Sequence, residues 1–272
     1  MAPMARLSFA QLASTAARAA VAAGSLLAKR VGRPRTVRTK RSAIDLVTEV
    51  DRASERLIHN MLLRAEPTFG FLGEEDGERR GPTAYRWIVD PLDGTNNFVH
   101  GLPIFGVSIG LEHRGRMVVG VIYDPMRREL FTAMRGGGAF LNGRRIRVSS
   151  VRRLARSLVS TGFSSSFLTR DEPYLGWFRA VQRRSHGVRR VGSTVWCLAA
   201  VAAGRMEGFY ERDLWPWDIA AGMLIVEEAG GRVTNLDGQP PALTKGQLVA
   251  SNGRIHRELL QVLRNTSSFR VT

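Results

Sequence analysis

The chain has 272 residues, 44% of them hydrophobic, which is ample for a packed core in one large domain or two smaller ones and too apolar for a disordered chain. No window reaches about 18 uninterrupted apolar residues, so no transmembrane helix is expected; the single cysteine, Cys197, excludes an internal disulfide and any cysteine-rich metal site. The formal charge of +16 suits an anionic partner such as nucleic acid, although 37 of the cations are Arg and only 3 are Lys, a skew that genome composition produces as readily as selection for binding.

Residues 9 to 28 are Ala-rich and read as an amphipathic first helix. An internal Arg18, with Lys29 and Arg30 where a small-residue cleavage site would stand, argues against a secretion signal and for a cytoplasmic chain. Residues 29 to 41 carry seven cations and read as a solvated connector. Lys40 is the exception, because a lysine just before an acidic motif can balance the charge around a metal or meet a phosphate. Thr48 or Asp51 can cap the next helix, whose apolar positions Leu57, Ile58, Met61 and Leu62 follow helical spacing and which Pro67 ends. Asp45, Glu49, Asp51 and Glu55 lie within eleven residues. Such a cluster is ordinarily a solvated face, but it stands out in so basic a chain. A short strand from Thr68 to Leu72 leads into the acidic turn of Glu74, Glu75, Asp76 and Glu78.

The stretch WIVDPLDGTNNF, Trp87 to Phe98, organises the rest. Its apolar run ends at Asp90, Pro91 breaks it, and Asp93, Gly94 and Thr95 follow, so strand, breaker and helix start is the expected order. Two carboxylates three residues apart at a strand end converge on one point only if a cation holds them together. The amides of Gly94 and Thr95, at the start of a helix, suit a phosphate. With Glu74 at the end of a neighbouring strand, the motif describes a site rather than a surface.

Residues 104 to 148 read as a β-meander with turns at Arg114-Gly115 and Asn142-Gly143, and His100 and His113 read as loop residues. Beyond a boundary placed near residue 150, separating residues 1–150 from residues 151–272, the order becomes α/β. Strands are expected at Leu158 to Thr161, Val188 to Val191 and Met206 to Tyr210, and helices at Pro173 to Gln182 and Thr194 to Ala203. Cys197 falls in the apolar run VWCLAAVAA and reads as a buried thiol. Pro216 suits a first helical turn, Asp218 lies in that turn, and Gly230-Gly231 close the helix, with Glu227 and Glu228 as structural acids. A carboxylate placed like Asp218 is also routinely a helix cap.

Asp51, Glu74, Asp90, Asp93 and Asp218 have no His or Cys beside them in sequence, which implies an all-oxygen site suited to Mg²⁺. Asp90 is the best candidate to bridge two ions. Two ions about 4 Å apart can activate a water and stabilise the leaving oxygen of an in-line displacement.

The segments IDLVTEVD, FLGEE, WIVDPLDGTNNFVHGLP, GVIYDP, GGGAFLNG and PWDIAAGMLIVEEAGG, spread over most of the chain, resemble the inositol monophosphatase family. The resemblance implies an α/β fold, a layered α/β/α/β/α sandwich that is commonly dimeric. It also implies Mg²⁺-dependent, lithium-sensitive hydrolysis of inositol 1-phosphate or a similar small polyol phosphate. Two or three Mg²⁺ ions are implied, one held by Glu74, Asp90 and the Leu92 carbonyl and another by Asp90, Asp93 and Asp218. By the same resemblance Thr95 orients the attacking water with Asp51 behind it, the Gly94 and Thr95 amides bind phosphate, Glu211 meets a sugar hydroxyl, and Ser193 and Thr194 lie near the substrate-facing loop. Members with the same metal motifs act on fructose 1,6-bisphosphate, histidinol phosphate or 3′-phosphoadenosine nucleotides; FVHGLP and Glu211 favour the inositol branch. The segment LWPW before Asp218 is as in bacterial members, some of which act with RNA polymerase, so RNA or RNA polymerase is a second expected partner for the basic surface.

Overall fold

The computed structural model describes residues 7–40, 45–168 and 173–267. Arg41 of the basic segment and Ile44 of the first acidic motif lie outside the described residues. Helix α1 (Phe9–Ala28) begins at Ser8, whose hydroxyl accepts the Gln11 amide while the Gln11 side chain accepts that of Ser8. Inside the expected connector, β1 (Val37–Thr39) pairs antiparallel with β2 (Leu46–Thr48) as a ribbon. Thr48, not Asp51, caps helix α2 (Glu49–Ala65), and the Asp51 carboxylate reaches back to the Thr48 amide at 2.9 Å. That reciprocal bond pins Asp51 at the start of the helix.

The large sheet follows, with β3 (Gly70–Gly73), β4 (Gly77–Arg79) and β5 (Tyr85–Asp93). After the short helix α3 (Thr95–Val99) come β6 (Gly106–His113), β7 (Arg116–Asp124), β8 (Glu129–Met134), β9 (Gly138–Leu141) and β10 (Arg144–Arg145). Its order is β10-β9-β8-β7-β6-β5-β3-β4, with only β3 and β5 parallel. That parallel pair sets Glu74 and the Asp90–Asp93 segment at the same end of the sheet. The strand does not stop at Asp90 as expected. It continues through Pro91 to Asp93, because the residue without an N–H falls where the pairing with β6 shifts register between Asp90 and Asp93.

The smaller sheet has the order β12-β11-β13-β15-β14, from β11 (Leu158–Thr161), β12 (Gly187–Arg189), β13 (Gly208–Leu214), β14 (Arg232–Thr234) and β15 (Gly246–Ser251). Its helices are α4 (Tyr174–Gln182), α5 (Thr194–Ala202), α6 (Pro216–Glu228) and α7 (His256–Ser267). β14, β15 and α7 lie beyond or across the last stretch that the sequence marked clearly.

Five layers result. α1 and α2 cover one face of the large sheet, α5 and α6 fill the space between the sheets, and α4 and α7 cover the outer face of the small one. The expected α/β/α/β/α sandwich is the fold observed. α6 is apolar on nearly every side, with Ile219, Ala220, Leu224, Ile225 and Val226 all buried, because it packs against both sheets. Glu227 binds Arg135 at 2.6 Å and Glu228 accepts the amides of Gly136 and Gly138 at 2.8 Å, which ties the far end of α6 to the large sheet. Among the described residues no helix is long and apolar enough to cross a membrane.

One contact sets how closely α6 approaches the sheet. A Cβ on Gly120 would sit 2.7 Å from the Ala221 carbonyl oxygen, so only glycine lets the helix backbone lie this near β7. At the same end the Ser108 hydroxyl donates to the Trp217 carbonyl at 3.2 Å, beside Asp218. Gly120→Ala must move α6 or its strand, at a cost of about 1–3 kcal/mol. It should lower Tm by several degrees and weaken divalent-cation binding by moving Asp218; a wild-type Tm and cation affinity would contradict the close contact.

Candidate active site

Asp90 and Asp93 project from the bulged end of β5, and Asp218 from the first turn of α6. One carboxylate oxygen from each lies within 4.8 Å of the other two. Asp90 Oδ1 accepts the Leu92 amide at 3.0 Å. Asp93 Oδ2 accepts the Val195 amide at 3.0 Å and the Ser193 hydroxyl. Asp218 Oδ2 accepts the Trp215 amide at 2.6 Å, so its helix-capping role and its place in the cluster are both real. Burial comes first in raising all three carboxyls; Glu74, Asp93 and Asp218 add to it at Asp90, and Glu74 and Asp93 at Asp218. Asp93 is pushed up to about 7 by burial, against the opposing bonds from Ser193 and Val195. Like charges held this close and this deep call for a cation, and a donor set of carboxylate oxygens alone fits a hard divalent metal.

Glu74 stands next to this group with Lys40 at 2.8 Å, and Lys40 also contacts Glu75. Burial works against the Lys40 ammonium, but Glu74 and Glu75 hold it protonated above its ordinary range. Burial lifts Glu75 to about 7 despite that lysine. Behind the pair, Glu55 is 1% exposed and accepts the amides of Glu75 at 3.0 Å and Asp76 at 2.7 Å. It belongs to no solvated face; it shapes the turn that presents Glu74.

A second chain of bonds leads from α2 to the cleft. Thr48 Oγ1 donates to Asp51 Oδ2 at 2.5 Å, and Thr95 Oγ1 lies 3.1 Å from both Asp51 Oδ1 and the Leu92 carbonyl. Asp51 is fully buried, and burial raises its pKa against the Thr48 bonds. Gly94, at φ +88°, makes the turn into α3; a Cβ there would crowd the Ile104 carbonyl at 3.0 Å.

The cleft, about 190 Å³, brings together Glu74, Asp93, Gly94, Thr95, Ser193, Thr194 and Glu211. Thr194 Oγ1 donates to Glu211 Oε2 at 3.1 Å, and burial lifts Glu211 to about 8. Ser193 is 4% exposed and spends its hydroxyl on Asp93 and on the Trp196 amide that opens α5. Asp45, Phe163 and Arg190 also line the cleft. Phe163 and Arg190 carried no sequence signal, since one is an aromatic in a Ser-rich loop and the other part of an Arg pair in an Arg-rich chain. Cys197 borders the cleft, but burial pushes its thiol far up and keeps it inert. His113 stacks on Tyr85 at 4.0 Å, away from these groups. A larger groove of about 660 Å³ between α4 and α7 holds Arg179, Arg183 and Arg184 but none of the clustered acids.

The model of the inositol monophosphatase family matches residues 9–268. An inositol-1-monophosphatase of Rhizobium meliloti is 44% identical over 243 residues, 89% of this chain and 91% of that protein. A protein of Pseudomonas aeruginosa called Nus factor SuhB is 44% identical over 254 residues, covering 91% and 94% of the two chains. The crystal structure of extragenic suppressor protein suhB from Bartonella henselae superposes with a TM-score of 0.87 at 44% identity, over 92% of this chain and 97% of that one. With a match that spans both sheets and every acid of the cleft, the chain belongs to the inositol monophosphatase family and is a phosphoric monoester hydrolase.

Proposed function

We propose that the chain hydrolyses inositol 1-phosphate or a similar small polyol phosphate, with Mg²⁺ held by Asp90, Asp93 and Asp218 and by Glu74 with the Leu92 carbonyl. The observation that carries this reading is the convergence of Asp90, Asp93 and Asp218 beside Thr95. Bound there, Mg²⁺ would supply Lewis-acid activation of water and charge neutralisation at the phosphoryl oxygens. Thr95 Oγ1, donating to Asp51, keeps a lone pair to accept a hydrogen bond from the attacking water. The proton that water loses can pass to Thr95 while the Thr95 proton passes to Asp51, whose burial favours taking it up. The Gly94 and Thr95 amides receive the phosphate, Lys40 balances Glu74, and Glu211 with Thr194 meets the polyol hydroxyls. In this scheme residues 1–150 supply most of the metal and water-handling groups, and residues 151–272 complete the site with Asp218, Ser193, Thr194 and Glu211.

A second reading adds a macromolecular partner, RNA or RNA polymerase, for the basic surface. Relatives called Nus factors and the charge of +16 favour it, and it does not displace catalysis.

Phosphate release from inositol 1-phosphate, fructose 1,6-bisphosphate, histidinol phosphate and 3′-phosphoadenosine nucleotide tests the substrate. The expected order puts inositol 1-phosphate first, and brisk turnover of another ester with negligible turnover of this one would overturn it. Asp93→Asn should lose roughly 10³-fold in rate without unfolding, and Thr95→Ala less; near-normal activity of Asp93→Asn refutes the assignment. Binding of a labelled RNA by Asp93→Asn that weakens steeply with salt supports the macromolecular partner, and no binding at moderate salt removes it.

The raised carboxyls also fix a pH response. A carboxyl whose folded pKa lies above its unfolded value binds more protons when folded, so the stability it gives is complete below the unfolded value and is lost as pH rises through the folded one. Asp93 and Glu75 at about 7 and Glu211 at about 8 share this sign. His256, pushed down to about 4 by burial, gives the opposite slope below about 6.5. Without divalent cations, Tm should therefore fall between about pH 6.5 and about pH 8, and Mg²⁺ should flatten that fall by replacing the protons. A chelated protein whose Tm rises across the window would contradict this.

A further inference from the structure

Asp213 takes a backbone conformation that most residues avoid. It lies two residues beyond Glu211 with φ +61°, in the bulge where the pairing of β13 with β15 shifts between Glu211 and Leu214. Asp tolerates this region better than most side chains. Asp213 Oδ2 there receives the Tyr174 hydroxyl at 2.7 Å, the Ser166 hydroxyl at 2.5 Å and the Ser164 hydroxyl at 3.4 Å. The three hydroxyls also lie 2.7 Å from one another, and Arg212 Nε approaches the same oxygen at 3.4 Å. Partial burial works to raise the Asp213 pKa, but the hydroxyl bonds, Arg212 and Lys245 outweigh it and keep the group anionic.

Two of these hydroxyls sit on the segment that leaves β11, residues 162–167. Phe163 of that segment lines the cleft, stacks on Phe167 with ring centroids 4.9 Å apart and meets Tyr174 edge-on at 5.7 Å. Gly162 is pressed against the polyol end: a Cβ there would lie 2.1 Å from Glu211 Oε2. The positions of this segment and of the Glu211 carboxylate therefore depend on each other. Asp213 holds the segment from one side while its own strand holds Glu211 from the other.

We propose that Asp213 is a latch that ties the Gly162–Phe167 segment to the bulge in β13 and so fixes the wall of the cleft against Glu211, making Asp213 a positioning residue for the alcohol end of the substrate. This rests on the polyol phosphatase reading above. Without the carboxylate, three hydroxyls lose their charged acceptor, and the segment is left with its aromatic contacts, the short turn at Ser165–Leu168 and the hydroxyls' bonds to one another. The phosphate end is built on β5, the start of α3, α2 and α6, so it stays in place.

Asp213→Gly removes the acceptor and keeps the left-handed backbone at no steric cost, which guards against a trivial folding failure. Asp213→Asn retains one acceptor and the same backbone preference. KM and kcat are measured for inositol 1-phosphate and for phenyl phosphate, an ester without alcohol hydroxyls, together with amide hydrogen exchange in residues 162–168. Asp213→Gly should raise KM for inositol 1-phosphate about tenfold. Its kcat on phenyl phosphate should stay within about twofold, since no contact to the phosphate is lost. Exchange in the segment should quicken, and Asp213→Asn should restore much of both. Unchanged KM and exchange in Asp213→Gly, or equal loss on the two esters, would overturn the latch. If the wild-type protein cleaves phenyl phosphate but no polyol phosphate, the polyol reading fails and takes the latch's role in substrate choice with it, whereas a wild type active on inositol 1-phosphate beside an indifferent Asp213→Gly rejects the latch alone.

Discussion

Three carboxylates forced within 4.8 Å of one another set the terms for the rest of this molecule. Each pair of like charges at that distance repels by on the order of 3 kcal/mol at an effective dielectric of about 20. The cluster persists because packing fixes its bearers. Asp90 and Asp93 sit on a central strand of an eight-stranded sheet, and Asp218 rides on a helix wedged between two sheets, with Gly120 allowing backbone-to-backbone approach. The large apolar layer around α5 and α6 sustains that arrangement, and a divalent cation bound there would relieve the repulsion.

The supporting groups divide into two circuits. Thr48, Asp51 and Thr95 connect a helix start to the cleft, so one capping box serves both the fold and the position of the Thr95 hydroxyl. Glu55, Glu75 and Lys40 form the other, in which a buried acid shapes a turn and a lysine offsets the charge that Glu74 brings to the cluster. Neither circuit includes Glu211, Thr194 or the segment after β11, which line the cleft from the side of the other sheet; in the proposed function this separation would let the substrate's leaving group vary without disturbing the phosphate chemistry.

The acids were legible because they are chemically out of place. Asp90, Asp93 and Glu74 end apolar strands in a basic chain, and Asp218 opens an apolar helix. The boundaries of α1 and α5 followed from local patterning that tertiary packing did not override, within one residue of the observed ends. Pro91 misled, because a bulge can absorb a missing N–H and no local rule announces a bulge. Glu55 looked like an exposed face because its partners, the amides of Glu75 and Asp76, lie twenty residues on. Ser193 is legible in the sequence only as part of the substrate-facing loop, and Asp213 not at all, for the same reason: the first holds an aspartate a hundred residues earlier, the second gathers hydroxyls about forty and fifty residues away. Periodicity reports which face a residue presents, not which distant element will cover it.

Locating the ion is the sharpest test of whether the Asp90, Asp93 and Asp218 cluster is a divalent-cation site. Crystals of the protein grown with Mn²⁺ in place of Mg²⁺ would be measured for anomalous scattering. A cation site there gives a strong peak among these three carboxylates, lost in crystals of Asp93→Asn. No peak there in an active protein, or the same peak in the variant, would contradict it.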